Sequence, residues 1–82
     1  MDQASRTQKQ LAAEIRRYRK KSGLTQAHLG GLIDKRQATI SSLESEGRGT
    51  IETLFAVLSA LNLELTVRPR SKSERVKLGD IF

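Results

Sequence analysis

Two short helical segments joined by a three-residue turn constrain this chain more than any other feature. The first reads Leu24-Thr25-Gln26-Ala27-His28-Leu29-Gly30 and the second Gln37-Ala38-Thr39-Ile40-Ser41-Ser42-Leu43-Glu44. Thr25 is placed to cap the first helix through its hydroxyl, and Leu29, Leu32 and Ile33 supply an apolar stripe. Gly30-Gly31 costs about 1 kcal/mol per residue relative to alanine inside a helix. Close approach by the following helix is a reason to accept that cost, because the two helices of such a motif cross steeply. Asp34-Lys35-Arg36 forms the turn. The second helix is expected over 37–46, with Ile40 and Leu43 facing inward and Gly47-Arg48-Gly49 closing it.

The flanking sequence adds two helices and a strand. From Thr7 onward, Leu11, Ile15 and Tyr18 recur at i, i+4, i+7 beside Ala12, while Arg16, Arg17, Arg19, Lys20 and Lys21 cover the other faces and Ser22-Gly23 ends the element. Thr50 caps a further helix whose apolar face is Leu54, Val57, Leu58 and Leu61, with Phe55 off its centre. After Asn62 the period changes. Leu63-Glu64-Leu65-Thr66-Val67-Arg68 alternates apolar and polar, the mark of a half-buried strand, and Pro69 ends it. A lone strand has no partner in its own chain, so pairing with its copy in a second subunit through Leu63, Leu65 and Val67 is the simplest arrangement. Residues 1–6 read as a flexible N-terminus, 7–69 as one domain and 70–82 as a flexible basic tail. Val76, Leu78, Ile81 and Phe82 give that tail some apolar character.

Eighty-two residues make one domain at most, with a core that is marginal alone, and dimerisation is a usual remedy. There is no cysteine, so neither disulfides nor thiolate metal sites contribute. Fifteen Lys and Arg against nine Asp and Glu give a net charge of +6, which points to a polyanionic partner. No apolar run approaches the about 20 residues of a membrane span, and the first residues lack the order of a signal peptide. A cytoplasmic, nucleoid-associated protein is expected. His28 has no ligand cluster at metal spacing, and nothing resembles a nucleophile–base pair or a phosphate-binding loop, so neither a cofactor, a metal nor an enzyme activity is expected.

The paired helices have the form of a helix-turn-helix, which makes double-stranded DNA the expected partner. The first helix of that motif crosses the DNA backbone, so Gln26 on its first turn is a candidate phosphate contact beside the helix N-terminus. Arg36, Gln37, Ala38, Thr39 and Ser41 form the exposed start of the second helix. Gln bonds N6 and N7 of adenine, Ala and Thr touch the thymine methyl, Ser serves either base, and Arg reaches guanine or a phosphate. Lys35, Arg48 and Thr50 flank this helix as phosphate contacts. Arg19 has an alternative role, an internal ion pair with Glu44.

These residues resemble a known family. Leu24-Thr25-Gln26-Ala27, Leu29-Gly30, Gln37-Ala38-Thr39-Ile40-Ser41 and Leu43-Glu44 are similar to the Xre/Cro type of helix-turn-helix, related to the phage lambda repressor, over about residues 8–63. The Gln-Ala-Thr-Ile-Ser segment, with Leu61-Asn62-Leu63-Glu64-Leu65 and a following strand, resembles the HipB antitoxins of HipA-kinase modules. The resemblance implies base or phosphate contacts from Arg36, Gln37, Ala38 and Ser41, a phosphate contact from Gln26, and a homodimer joined partly through 63–68. It also implies repression of the protein's own operon at palindromic operators, and binding of a HipA-like serine/threonine kinase toxin that acts as co-repressor. Two positions depart from the pattern. Asp34 stands where a turn glycine is usual, at some cost in the left-handed region, and Lys35 stands where an apolar residue is usual.

The expected fold is therefore all-α: a lambda-repressor-like helix-turn-helix bundle of four to five helices, with one C-terminal β-strand pairing across a homodimer. The expected function is that of an operator-binding autorepressor and antitoxin. Two alternatives stay open: a stand-alone phage or plasmid repressor, and a kinase-inhibiting interaction module with a minor DNA role.

Overall fold

Threonine opens three of the four helices. Thr7 sits in extended backbone, and its hydroxyl accepts from the Gln10 amide at 3.0 Å to start α1 (Gln8–Lys21). Thr25 starts α2 (Gln26–Leu32) by accepting from the His28 amide at 3.0 Å, and Thr50 starts α4 (Ile51–Ala60) by accepting from the Thr53 amide at 3.0 Å. Each hydroxyl satisfies an amide that has no partner within its helix. The third helix, α3 (Gln37–Glu46), follows Arg36 and has no side-chain cap. The computed structural model describes residues 4–70, and these four helices are the regular elements among them.

All four helices stop at a left-handed residue: Gly23 (φ 75°), Asp34 (φ 57°), Gly47 (φ 68°) and Asn62 (φ 58°). After α2 the Lys35 amide reaches back to the Gly30 carbonyl at 2.8 Å, and after α4 the Leu63 amide reaches the Leu58 carbonyl at 2.7 Å. These are the six-to-one bonds of a Schellman termination. Asp34 thus makes the turn expected of a glycine. Gly47 is fixed by space as well as by φ, because a Cβ there would lie 2.6 Å from the Gln8 carbonyl oxygen at the start of α1.

The core forms where the helices meet. Leu29, Ile40 and Val57 are fully enclosed, Ile15, Leu43, Leu58 and Leu61 are buried with them, and Leu11, Tyr18, Leu24, Ile33, Leu54 and Leu63 pack around the edge. α3 packs against both α1 and α2, and α2 also touches α4. Leu32 departs from the expected stripe and is 60% exposed. At about 100° per residue, Leu29, Gly30 and Ile33 share one face of α2 and Leu32 points away from its centre. Phe55 is 51% exposed, in keeping with its place off the apolar face of α4.

The two glycines of α2 have different reasons to be there. A Cβ on Gly30 would stand 2.6 Å from the Lys35 carbonyl oxygen, so the close approach comes from the backbone of the turn. Gly31 faces open space, and close approach does not account for it.

Residues 63–70 carry neither helix nor β-ladder. A ladder needs a second strand, and the single chain offers none there among the described residues. The strand expected over 63–68 is therefore not formed by the isolated chain. Leu63 packs on the core, whereas Leu65 is 44% and Val67 92% exposed. At the other end, the Arg6 amide donates to Gln10 Oε1 at 2.6 Å. The tail residues Val76, Leu78, Ile81 and Phe82 lie outside the described residues.

Replacing each α2 glycine in turn separates the two reasons. Gly30→Ala is expected to destabilise the domain by about 1–3 kcal/mol, the usual cost of overpacking. Gly31→Ala is expected to stabilise it by about 0.4–1 kcal/mol through lost unfolded-state freedom. Urea midpoints of the two variants measure both effects, and equal shifts would contradict the contact at Lys35.

Candidate nucleic-acid interface

A buried ion pair sets the geometry of the candidate surface. Arg19 on α1 and Glu44 on α3 are 7% and 5% exposed. Arg19 Nε donates to Glu44 Oε2 at 2.6 Å and Nη2 to Oε1 at 2.9 Å, a two-pronged match of guanidinium and carboxylate. The third guanidinium nitrogen, Nη1, donates to the Leu24 carbonyl at 2.7 Å, just before α2. The internal role open to Arg19 in the sequence is thus the one the fold uses, and it removes Arg19 from the exposed basic run of α1. In that run Arg17 pairs with Glu14 at 2.6 Å and lies 4.5 Å from the centre of the Tyr18 ring. The hydrogen bond to Glu14 holds the Arg17 guanidinium above its ordinary range. Arg16, Lys20 and Lys21 are exposed.

α3 presents its first residues outward. Arg36, Gln37 and Ala38 are exposed, Thr39 and Ser41 are half-buried, and Ile40 and Leu43 turn to the core. With Arg36 in the N-cap position and no hydroxyl or carboxylate to accept, the first amides of α3 have no side-chain partner. The side chains at 38, 39 and 41 are small, beside the long ones of Arg36 and Gln37.

The flanking candidates are placed less uniformly. Gln26, the first residue of α2, is half-buried, and its Nε2 donates to Glu44 Oε1 at 3.3 Å. Lys35 lies in the turn, half-buried, with Nζ 4.0 Å from Glu52 Oε1 at the start of α4. Arg48 is exposed and stands 3.8 Å from Glu46. The Thr50 hydroxyl is used twice inside the fold, accepting from the Thr53 amide and donating to Thr53 Oγ1 at 3.0 Å. Leu63, Leu65 and Val67 line a groove with Leu11, Tyr18 and Leu58, and no residue of α3 is part of that lining. Ser45 was not singled out in the sequence. It is exposed one turn beyond Ser41, and its hydroxyl donates to the Ser41 carbonyl at 2.7 Å. Among the described residues no group of acidic, histidine or cysteine side chains is arranged to hold a metal ion, and no helix is long and apolar enough to cross a membrane.

Four short helices with a capped first motif helix, a tight left-handed turn and an outward-facing third helix define a helix-turn-helix domain, and the family model for that domain matches residues 15–67. The chain belongs to this helix-turn-helix family, in its Xre/Cro-like form. Within the family, its likeness is to HipB. The complex of a HipB serine-to-alanine variant with the O2 20mer superposes with a TM-score of 0.80 at 33% identity, over 87% of this chain and 100% of that one. HipB in the HipA–HipB–O2–O3 complex gives 0.80 at 32% identity, and HipB with the O4 20mer gives 0.79 at 32%, each over 85% of this chain and 100% of the other. A search of curated proteins returns no match.

The two ion pairs of α1 differ in environment and should differ in effect. Arg19→Ala strands a buried carboxylate and is expected to cost about 3–5 kcal/mol. Glu14→Ala opens only a solvated pair and should leave the thermal midpoint nearly unchanged. Thermal unfolding followed by circular dichroism distinguishes the two.

Proposed function

We propose that the chain is a sequence-specific autorepressor that binds operator DNA as a homodimer, and that it serves as the antitoxin of a HipA-like serine/threonine kinase. The observation that carries the DNA reading is the start of α3, the one helix of the four without a side-chain cap, where Arg36, Gln37 and Ala38 are exposed together. A local rule of helix design is set aside there and kept at the other three helices, which is the pattern of a surface kept for a ligand. In this reading Gln37 and Ala38 meet base edges in the major groove, with Thr39 and Ser41 beside them. Arg36, Lys35, Arg48 and Gln26 fix the register on phosphates. The Thr50 hydroxyl stays with its cap. The net charge of +6 supplies the counterion-release part of the affinity.

The dimer reading rests on residues 63–68. Leu65 and Val67 are exposed on a non-helical segment, and pairing with the same segment of a second copy would cover both. Two copies related by a two-fold axis would set their recognition helices about 34 Å apart, matching successive major grooves of a palindrome. The kinase reading is supported by the likeness to HipB in its complex with HipA. By its likeness to HipB in complex with the O2 and O4 20mers, the chain would bind operator duplexes, with the toxin as co-repressor on such sites.

DNase footprinting on the DNA upstream of the protein's own gene tests the central claim. A protected inverted repeat that survives near-physiological salt is expected, and diffuse protection that vanishes with salt would overturn sequence-specific binding. Gln37→Ala should cost about 1–3 kcal/mol at that site and relax preference at one base pair, whereas Arg48→Ala should weaken all duplexes alike and lower the salt slope by about 1. Sedimentation of a Leu65→Asp, Val67→Asp variant should report a monomer where the native chain is a dimer. Co-purification of a kinase encoded beside the gene separates an antitoxin from a stand-alone repressor.

A further inference from the structure

The Glu44 carboxylate receives three donors, and one of them belongs to the DNA-facing set. Oε2 takes Arg19 Nε, while Oε1 takes both Arg19 Nη2 at 2.9 Å and Gln26 Nε2 at 3.3 Å. A carboxylate only accepts, so it is the amide nitrogen of Gln26 that faces it and the amide oxygen that is turned away. An amide nitrogen carries two hydrogens, and Glu44 uses one.

We propose that Glu44, held by Arg19, is the positioning residue for Gln26, presenting the second Nε2 hydrogen to a phosphate oxygen of bound DNA. The inference rests on the reading above in which Gln26 meets a phosphate. Stability alone is a poor reason for a buried ion pair, since apolar side chains of similar volume often do as well or better in such places. Positioning accounts for what the pair touches. Arg19 Nη1 fixes the Leu24 carbonyl, so the same ion pair holds the backbone ahead of α2 and the first side chain on it. Glu44 lies on α3, two turns beyond Gln37, so the phosphate contact is keyed to the helix that reads bases. The guanidinium also neutralises the carboxylate, which would otherwise repel a phosphate nearby. A glutamine already held in place avoids the ordering cost of a free side chain on binding, worth about two- to tenfold in affinity.

The test is a double-mutant comparison in the full-length protein, using the footprinted upstream duplex and a mixed-sequence duplex of equal length. In the native background Gln26→Ala should weaken binding about tenfold, as loss of a hydrogen bond to a charged group does. In an Arg19→Met, Glu44→Leu background, checked for an unchanged fold by circular dichroism, the same Gln26→Ala change should weaken binding less than threefold. Equal losses in the two backgrounds would overturn the positioning role. Failure of the native protein to bind either duplex would instead overturn the functional reading on which it rests. If the apolar pair does not fold, the side-chain amide resonances of Gln26 in the native protein decide. Two signals displaced from the free-amide position and slow to exchange are expected, and signals at the free-amide position would overturn the proposal.

Discussion

The guanidinium of Arg19 joins three parts of the chain that are not neighbours in sequence: α1, where it originates, the Leu24 carbonyl at the head of α2, and the Glu44 carboxylate on α3. The apolar side chains around Leu29 and Ile40 supply most of the driving force for bringing these helices together, but such contacts are non-directional and allow small rotations. Forked hydrogen bonds do not. With α1 and α3 tied at this point, the angle at which α3 leaves the core is set, and with it the outward presentation of Gln37 and Ala38.

A second constraint lies at the turn. The Gly30 face touches the Lys35 carbonyl so closely that no side chain fits between them, and the Lys35 amide returns to Gly30. The Asp34 left-handed conformation makes the return possible. The turn is therefore defined by backbone contacts alone, which leaves the side chains of Lys35 and Arg36 outside the fold's own needs. Lys35 stands where an apolar residue is usual in related motifs; it is half-buried, with its ammonium 4.0 Å from the carboxylate of the exposed Glu52.

What could be read from the sequence was whatever depends on near neighbours. The caps at Thr25 and Thr50 follow from one hydroxyl and an amide three residues on, and the apolar faces of α1, α3 and α4 follow from period. The Arg19–Glu44 pair was open as one option for a member of the basic run of α1, and the packing of α1 on α3 is what selects it. Other features depend on chain segments meeting in space. Nothing local separates Gly30 from Gly31, yet only the first is crowded, because the crowding atom belongs to the turn. The bond from Gln26 to Glu44 crosses 18 positions and an interhelix corner. Leu32 looked like core because a seven-residue helix is too short for its period to fix which leucine faces inward. The strand at 63–68 needs a partner that one chain lacks, so its alternation was legible and its pairing was not.

The left-handed turn at Asn62 has a consequence beyond ending α4. Its dihedral angles, locked by the 2.7 Å bond from the Leu63 amide to the Leu58 carbonyl, set the direction in which residues 63–70 leave the bundle. In an assembly joined through that segment, the exit angle fixes where the two-fold axis passes relative to each α3. The distance between half-sites that such an assembly fits would then be governed by a single backbone corner at the end of α4, while the side chains at the start of α3 would choose only which bases occupy each half.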